Sequence, residues 1–136
     1  MPLFSSTEEA AATLGKFIEN VAVDPELQAK WVSSNVAFRM NYTDPELVIV
    51  LDASQDPPVV RQGDAAKASD VEIELFMDTD TGHKFWLGDL NVPMALARRK
   101  IKVKGPVGKL LQLLPAMQPA FIKYNEYLAA QGFDRK

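Results

Sequence analysis

The spacing of apolar positions changes along the chain, and each change marks an element. Leu14, Phe17, Ile18 and Val21 recur at helical spacing behind Ser6 and Glu9, the pair of a capping box, and predict an amphipathic first helix. Asp24-Pro25 is a cap followed by proline at the first helical position, opening a short second helix through Leu27 and Trp31. The period then drops to two. Val36, Phe38, Met40 and Tyr42 alternate with Ala37, Arg39, Asn41 and Thr43, a strand with one apolar and one wet face. After the turn Thr43-Asp44-Pro45-Glu46, Leu47 to Leu51 is an unbroken apolar run, as in a strand covered on both faces or a buried central one. Pro57 and Pro58 leave room only for a short edge strand at Val59-Val60 before Gly63-Asp64. The following strand puts Val71, Ile73, Leu75 and Met77 on one face and Glu72 and Glu74 on the other.

From Asp78 the helical period returns. Asp78-Thr79-Asp80-Thr81-Gly82 reads as a turn capping a helix through Phe85, Trp86 and Leu87, which Gly88 ends; Asn91 then caps another helix carrying Met94, Leu96 and Ala97. Lys100-Ile101-Lys102-Val103-Lys104 is an alternating strand closed by Gly105. A last helical stretch from Pro106 to about Gln131 is broken or kinked at Pro115 and Pro119. No βα repeat runs through this order. It predicts one α+β domain over residues 1–136, with a mainly antiparallel sheet and its helices gathered on one face.

Charge alters this picture more than overall composition does. Residues 1–90 carry 6 basic and 16 acidic side chains, a net of −10, and residues 91–136 carry 9 and 2, a net of +7. Between Asp89 and Glu126 there is no acid, and Arg98, Arg99, Lys100, Lys102, Lys104, Lys109 and Lys123 all fall there. Such a stretch is either a solvated strand face with helix ends or a surface that meets an anionic partner. The absence of cysteine excludes disulfides and thiolate metal sites. The first residues lack the pattern of a signal peptide, the Phe133-Asp134-Arg135-Lys136 end is neither a peroxisomal address nor a prenylation box, and no apolar run is long enough to span a bilayer. A cytoplasmic location is the expectation.

Catalytic chemistry finds little to stand on. His83 is the single histidine, so a two-histidine metal site cannot form, and Asp78, Asp80 and His83 read as a helix-capping turn in preference to a hard-ion site. Neither a nucleophile elbow, a phosphate-binding loop nor a dinucleotide fingerprint occurs, and aromatic residues are not interleaved with cations as nucleic-acid stacking requires. The C-terminal stretch is more informative. Leu110, Leu113, Leu114, Met117, Phe121, Tyr124 and Leu128 form one apolar stripe, while Leu111, Ile122 and Tyr127 lie off it. Core packing accounts for the stripe. The extra apolar positions and the two breaks suggest a cover able to shift over a greasy cavity.

The run Phe76-Met77-Asp78 through Phe85-Trp86-Leu87-Gly88-Asp89-Leu90-Asn91, then Ala95 to Ala97, Lys100-Ile101-Lys102-Val103-Lys104-Gly105 and the leucine-rich tail, resembles the sterol carrier protein (type 2) lipid-transfer domain. That family shows an acidic residue after a strand, a phenylalanine, a Gly-x-Leu step, an alanine helix and a basic strand ending in glycine. The likeness is clearest over residues 36–115; Pro106 stands where the family usually has aspartate or asparagine. It implies a five-stranded sheet and helices enclosing an apolar tunnel for a sterol, fatty acid or fatty acyl-CoA, without a cofactor and without catalysis.

On this reading Phe38, Met40, Ile73, Leu75 and Met77 line the tunnel from the sheet. Phe85, Trp86, Met94, Leu110, Leu113, Leu114, Met117 and Phe121 line it from the helices. Arg98, Arg99, Lys100, Lys102 and Lys104 contact an anionic headgroup or membrane surface. The partners expected are a lipid-like small molecule and, transiently, an anionic membrane or a lipid-metabolising enzyme; nucleic acid is not among them, and the chain is a monomer or weak dimer. Two rivals stand beside this: a non-catalytic module docking through its apolar C-terminal face onto a larger enzyme, and a weak hydrolase or isomerase using His83 or Asp80.

Overall fold

A computed structural model of the chain describes residues 3–132; the expectations for the extreme ends lie outside the described residues. Ser6 caps the first helix by accepting from Glu9 N at 3.1 Å, and the Glu9 carboxylate returns to Ser5 N at 3.3 Å, a capping box offset by one residue. Three segments follow one another without a break: α1 (Thr7–Ala10), a π-helical turn (Ala11–Gly15) and α2 (Lys16–Ala22). Asp24 organises a turn by accepting from Glu26 N through its side chain and from Gln28 N through its carbonyl. Helix α3 (Gln28–Ser34) therefore starts later than the Asp24-Pro25 signal suggests.

Strands β1 (Ala37–Thr43), β2 (Leu47–Asp52) and β3 (Val59–Gln62) form an antiparallel meander, with β3 at the edge as its prolines require. A one-turn helix, α4 (Asp64–Lys67), then carries the chain across the sheet to β4 (Ile73–Asp78). Strand β4 pairs parallel to β1 on its free side, and β5 (Lys102–Lys104) pairs antiparallel to β4, giving a five-stranded sheet of order β3-β2-β1-β4-β5. The sheet is thus mixed, with one parallel pair. Helix α4 is the exception to one-sided packing: its Ala66 buries Val48 and Val50 on the outer face, while Leu47, Ile49 and Leu51 join the main core. That is why β2 is apolar at successive positions. Val71 falls with the outer cluster, because β4 starts two residues after it.

Helix α5 (Thr79–Leu87) starts on Asp78, whose carboxylate accepts from Thr81 N at 2.7 Å, so residues read as a turn are already helical. Gly82 lies within it because a Cβ there would run into the Tyr42 ring. Gly88 ends it in the left-handed conformation, its N–H donating to Phe85 O at 3.0 Å. Asn91 caps α6 (Val92–Ala97) by accepting from Met94 N at 3.0 Å. After β5 come α7 (Val107–Leu113), a 3₁₀ turn (Leu114–Met117) and α8 (Gln118–Ala130). Pro115 and Pro119 each occupy the first turn of the segment they open, where a missing N–H has no partner to lose.

Candidate functional site

The pleat of the sheet sets the floor of the interior. Register places three rows of inward side chains across β2, β1 and β4: Leu51, Phe38 and Ile73; Ile49, Met40 and Leu75; Leu47, Tyr42 and Met77. Above this floor lie Trp31 of α3, Phe85 and Trp86 of α5, and Leu110, Leu113, Leu114 and Met117 of the α7–3₁₀ segment.

Two small cavities lie between floor and cover. The inner one, about 40 Å³, is lined by Phe38, Met40, Leu51 and Leu75 from the sheet and by Trp31, Phe85, Trp86, Leu110, Leu113 and Met117 from the helices. The second, about 30 Å³, is lined by Met40, Tyr42, Leu75 and Met77 below and by Phe85, Val92, Ile101, Leu110 and Leu114 above. Met40, Leu75, Phe85 and Leu110 line both and form the partition between them. Each is large enough for water in volume, yet the walls supply almost no hydrogen-bond partner, and apolar cavities of this kind stay dry. Leaving them unfilled costs on the order of 1 kcal/mol each.

Each cavity also adjoins a surface groove. Phe38 and Leu113 line both the inner cavity and a groove of about 320 Å³ whose other walls are Lys30, Ser33, Ser34, Val36, Lys109 and Gln112. At the other end, Phe85, Val92 and Leu114 line both the second cavity and a groove of about 250 Å³ that includes Gly88, Leu90, Pro93 and Phe121. Four spaces therefore lie in series, with side chains as partitions. Among the described residues a continuous tunnel, as the resemblance implies, is not shown.

Ten of the residues expected at a tunnel wall line these two cavities: Phe38, Met40, Leu75, Met77, Phe85, Trp86, Leu110, Leu113, Leu114 and Met117. Ile73 is fully buried in the row beside Phe38 but lines neither cavity, and Phe121 lines the outer groove. Met94 is misplaced by the sequence reading. It is 46% exposed, since the short α6 buries Val92 and Ala95 and turns Met94 outward. Conversely Trp31, Tyr42, Leu51, Val92 and Ile101 line the cavities and were not singled out; for Tyr42 the alternation with Phe38 and Met40 was the available signal. Tyr42 is also tied to α5 by a hydrogen bond. Its hydroxyl accepts from Trp86 Nε1 at 3.4 Å, and burial pushes its pKa up to about 12, so it stays neutral.

Arg98, Arg99, Lys100, Lys102 and Lys104 are all exposed. Lys104 lies opposite Glu74 across the β4–β5 pair, and Lys102 opposite the half-exposed Phe76. The former candidates for chemistry each have a partner of their own. Asp78 caps α5, Asp80 accepts from Leu3 N at 3.0 Å, and His83 is fully buried with its Nδ1 2.7 Å from the Tyr124 hydroxyl. Burial holds the Tyr124 hydroxyl well above the usual tyrosine range. No group of three metal-ligating side chains forms among the described residues, and none of their helices is long and apolar enough to cross a membrane.

No family model matches the sequence, and a search of curated proteins finds no match. Solved structures do match. Sterol carrier protein 2 from Yarrowia lipolytica (apo form) shares 22% identity and a TM-score of 0.56, covering 82% of this chain and 95% of that one. Sterol carrier protein domain 2 of Helicoverpa armigera shares 16% identity and a TM-score of 0.63 over 80% and 88%. The UbiJ-SCP2 ubiquinone synthesis protein shares 14% identity and a TM-score of 0.56 over 84% and 89%. A mixed five-stranded sheet roofed by helices over an apolar interior defines an α+β class. Within that class, the chain has the sterol carrier protein 2 fold.

Proposed function

We propose that this protein binds one apolar, lipid-like molecule (a sterol, fatty acid or fatty acyl-CoA) between the sheet and the α7–3₁₀ cover, and carries it without converting it. The observation behind this reading is the pair of wholly apolar cavities in series, divided only by Met40, Leu75, Phe85 and Leu110, within the sterol carrier protein 2 fold. Ligand sites usually enclose at least ~300 Å³, so occupancy requires these partitions and the cover to move apart. Methionine and leucine side chains can do so, because both have alternative rotamers and methionine in particular fills irregular gaps. The exposed Arg98–Lys104 run serves as the contact for an anionic membrane surface. His83 is buried against Tyr124 and is not among the walls of either cavity, which supports the carrier reading over one that uses His83.

Mass spectrometry of lipid extracted from freshly purified protein tests this reading, together with melting curves across a lipid panel. A bound lipid, or a melting temperature rising with the logarithm of added lipid above its dissociation constant, is the expected result. A uniform absence of both would favour the docking module, whose surface would be the exposed Leu111 and Ile122.

A further inference from the structure

The two outer grooves of the series differ in chemistry. The groove at the α6–α8 end is walled by Phe85, Leu90, Val92, Leu114 and Phe121, with Asn91 and Gln118 as its polar side chains and no charged one. The groove at the α3–α7 end carries two lysines, two serines and a glutamine, and no carboxylate is among its walls. Between the two lie only apolar walls. Building on the binding reading above, we propose that the ligand is a single-chain amphiphile with an anionic head. Its head sits in the α3–α7 groove on Lys30 and Lys109, and its chain runs past Phe38 and Leu113 toward the α6–α8 end.

The donors fit that assignment. Lys30 makes no ion pair among the described residues, and the Ser33 hydroxyl and Gln112 amide face the same groove. The Ser34 hydroxyl already donates to Trp31 O at 2.6 Å, so it can only accept and is not a ligand donor. Lys109 is held at 2.6 Å by Glu72, at the foot of β4. An entering anion competes with Glu72 for this lysine, which links head capture to release of the N-terminal turn of α7, the element roofing the inner cavity. Phe38 and Leu113 line both the groove and that cavity, so the chain enters between them. A neutral sterol offers the two lysines one hydroxyl acceptor and no charge. The chemistry selects against it in favour of a carboxylate or phosphate head.

Three probes of equal chain length separate the terms: dodecanoate, dodecyl phosphate and dodecanol, titrated at low salt against tryptophan emission. Trp31 and Trp86 both line the inner cavity and report its filling. The native protein should bind both anions about tenfold more tightly than the alcohol, as expected for charge-assisted contacts in partly exposed surroundings. Lys30→Ala with Lys109→Ala should bring the anions to within about twofold of the alcohol, and added salt should act in the same direction. Glu72→Gln should raise affinity for the anions and not for the alcohol. Lys67→Ala on the outer face, where Lys67 pairs with Glu46, should change nothing. Equal binding of all three probes by the native protein, or an anion preference that survives the double lysine variant, overturns this assignment and leaves the cavity reading in place. Failure of every probe to bind overturns the cavity reading itself.

Discussion

Helix α8 packs on α5 and α2, the α7–3₁₀ segment before it roofs the two cavities, and the two are fastened differently. Helix α8 is tied at several points: the Tyr124 hydroxyl to His83 at 2.7 Å, Asn125 Nδ2 to Leu87 O at 3.2 Å, the Tyr127 hydroxyl to Ala12 O at 3.2 Å, and Lys123 to Asp24 and Glu26. Tyr124 also packs against the Phe17 ring, with centroids 4.7 Å apart. Residues 107–117 have one such tie among the described residues, Lys109 to Glu72, and neither α7 nor the 3₁₀ turn has a side-chain cap. Their hold on the body is Leu110, Leu113, Leu114 and Met117 over two unfilled cavities. Directional bonds fix one geometry, whereas apolar contacts beside a void permit several. Helix α8 is thus the anchored element, and the segment before it is the one with fewer directional ties.

The largest effect should come from the anchor. Tyr124→Ala removes a fully buried ring and should cost about 3–5 kcal/mol by chemical denaturation; Tyr124→Phe, which loses only the hydroxyl contact to His83, should cost about 1–2 kcal/mol. In the cover, Leu110→Ala should cost about 2 kcal/mol, the low end for leucine, because one side already faces a void; it should also merge the two cavities and change lipid affinity. A cost for Leu110→Ala as great as that for Tyr124→Ala would erase the distinction.

Two further effects lie outside the cover and calibrate it. The Arg39 guanidinium bonds Glu74 at 2.6 Å and holds its carboxyl below the usual glutamate range. A carboxyl depressed in the folded state stabilises above its ordinary pKa of about 4.3, and loses that contribution as pH falls through the lower folded value. Glu74→Gln should cost about 1–2 kcal/mol at neutral pH and flatten the acid limb of the stability curve. Asp78→Ala should cost about 1 kcal/mol through loss of the α5 cap, leaving lipid binding unchanged. Smallest in stability is charge reversal at Arg98, Arg99 and Lys100. It should leave the melting temperature nearly unmoved, yet slow transfer to anionic vesicles in a manner that fades with salt.

The parts of this arrangement that depend on local pattern were legible. Alternation in β1, the doubly apolar β2, the Asp78, Gly88 and Asn91 signals and the breaks at Pro115 and Pro119 all appear as read. Parallel pairing of β4 with β1 was not, because register between strands distant in sequence leaves no local trace. Helix α4, a single turn, is too short for periodicity to register. In the site, strand faces were easier than helix faces. A period of two leaves a binary choice, and Phe38, Met40, Leu75 and Met77 follow it; six residues of α6 could not fix which way Met94 turns. The size of the interior space was invisible in sequence, since a stripe of leucines packs a solid core or roofs a void equally well.

Amide hydrogen exchange followed segment by segment, with and without saturating dodecanoate, tests the opening cover most directly. Residues 107–117 should exchange faster than residues 118–130 in the protein alone, and added ligand should protect chiefly the former. Equal protection of both segments before ligand is added, unchanged by it, would contradict the account.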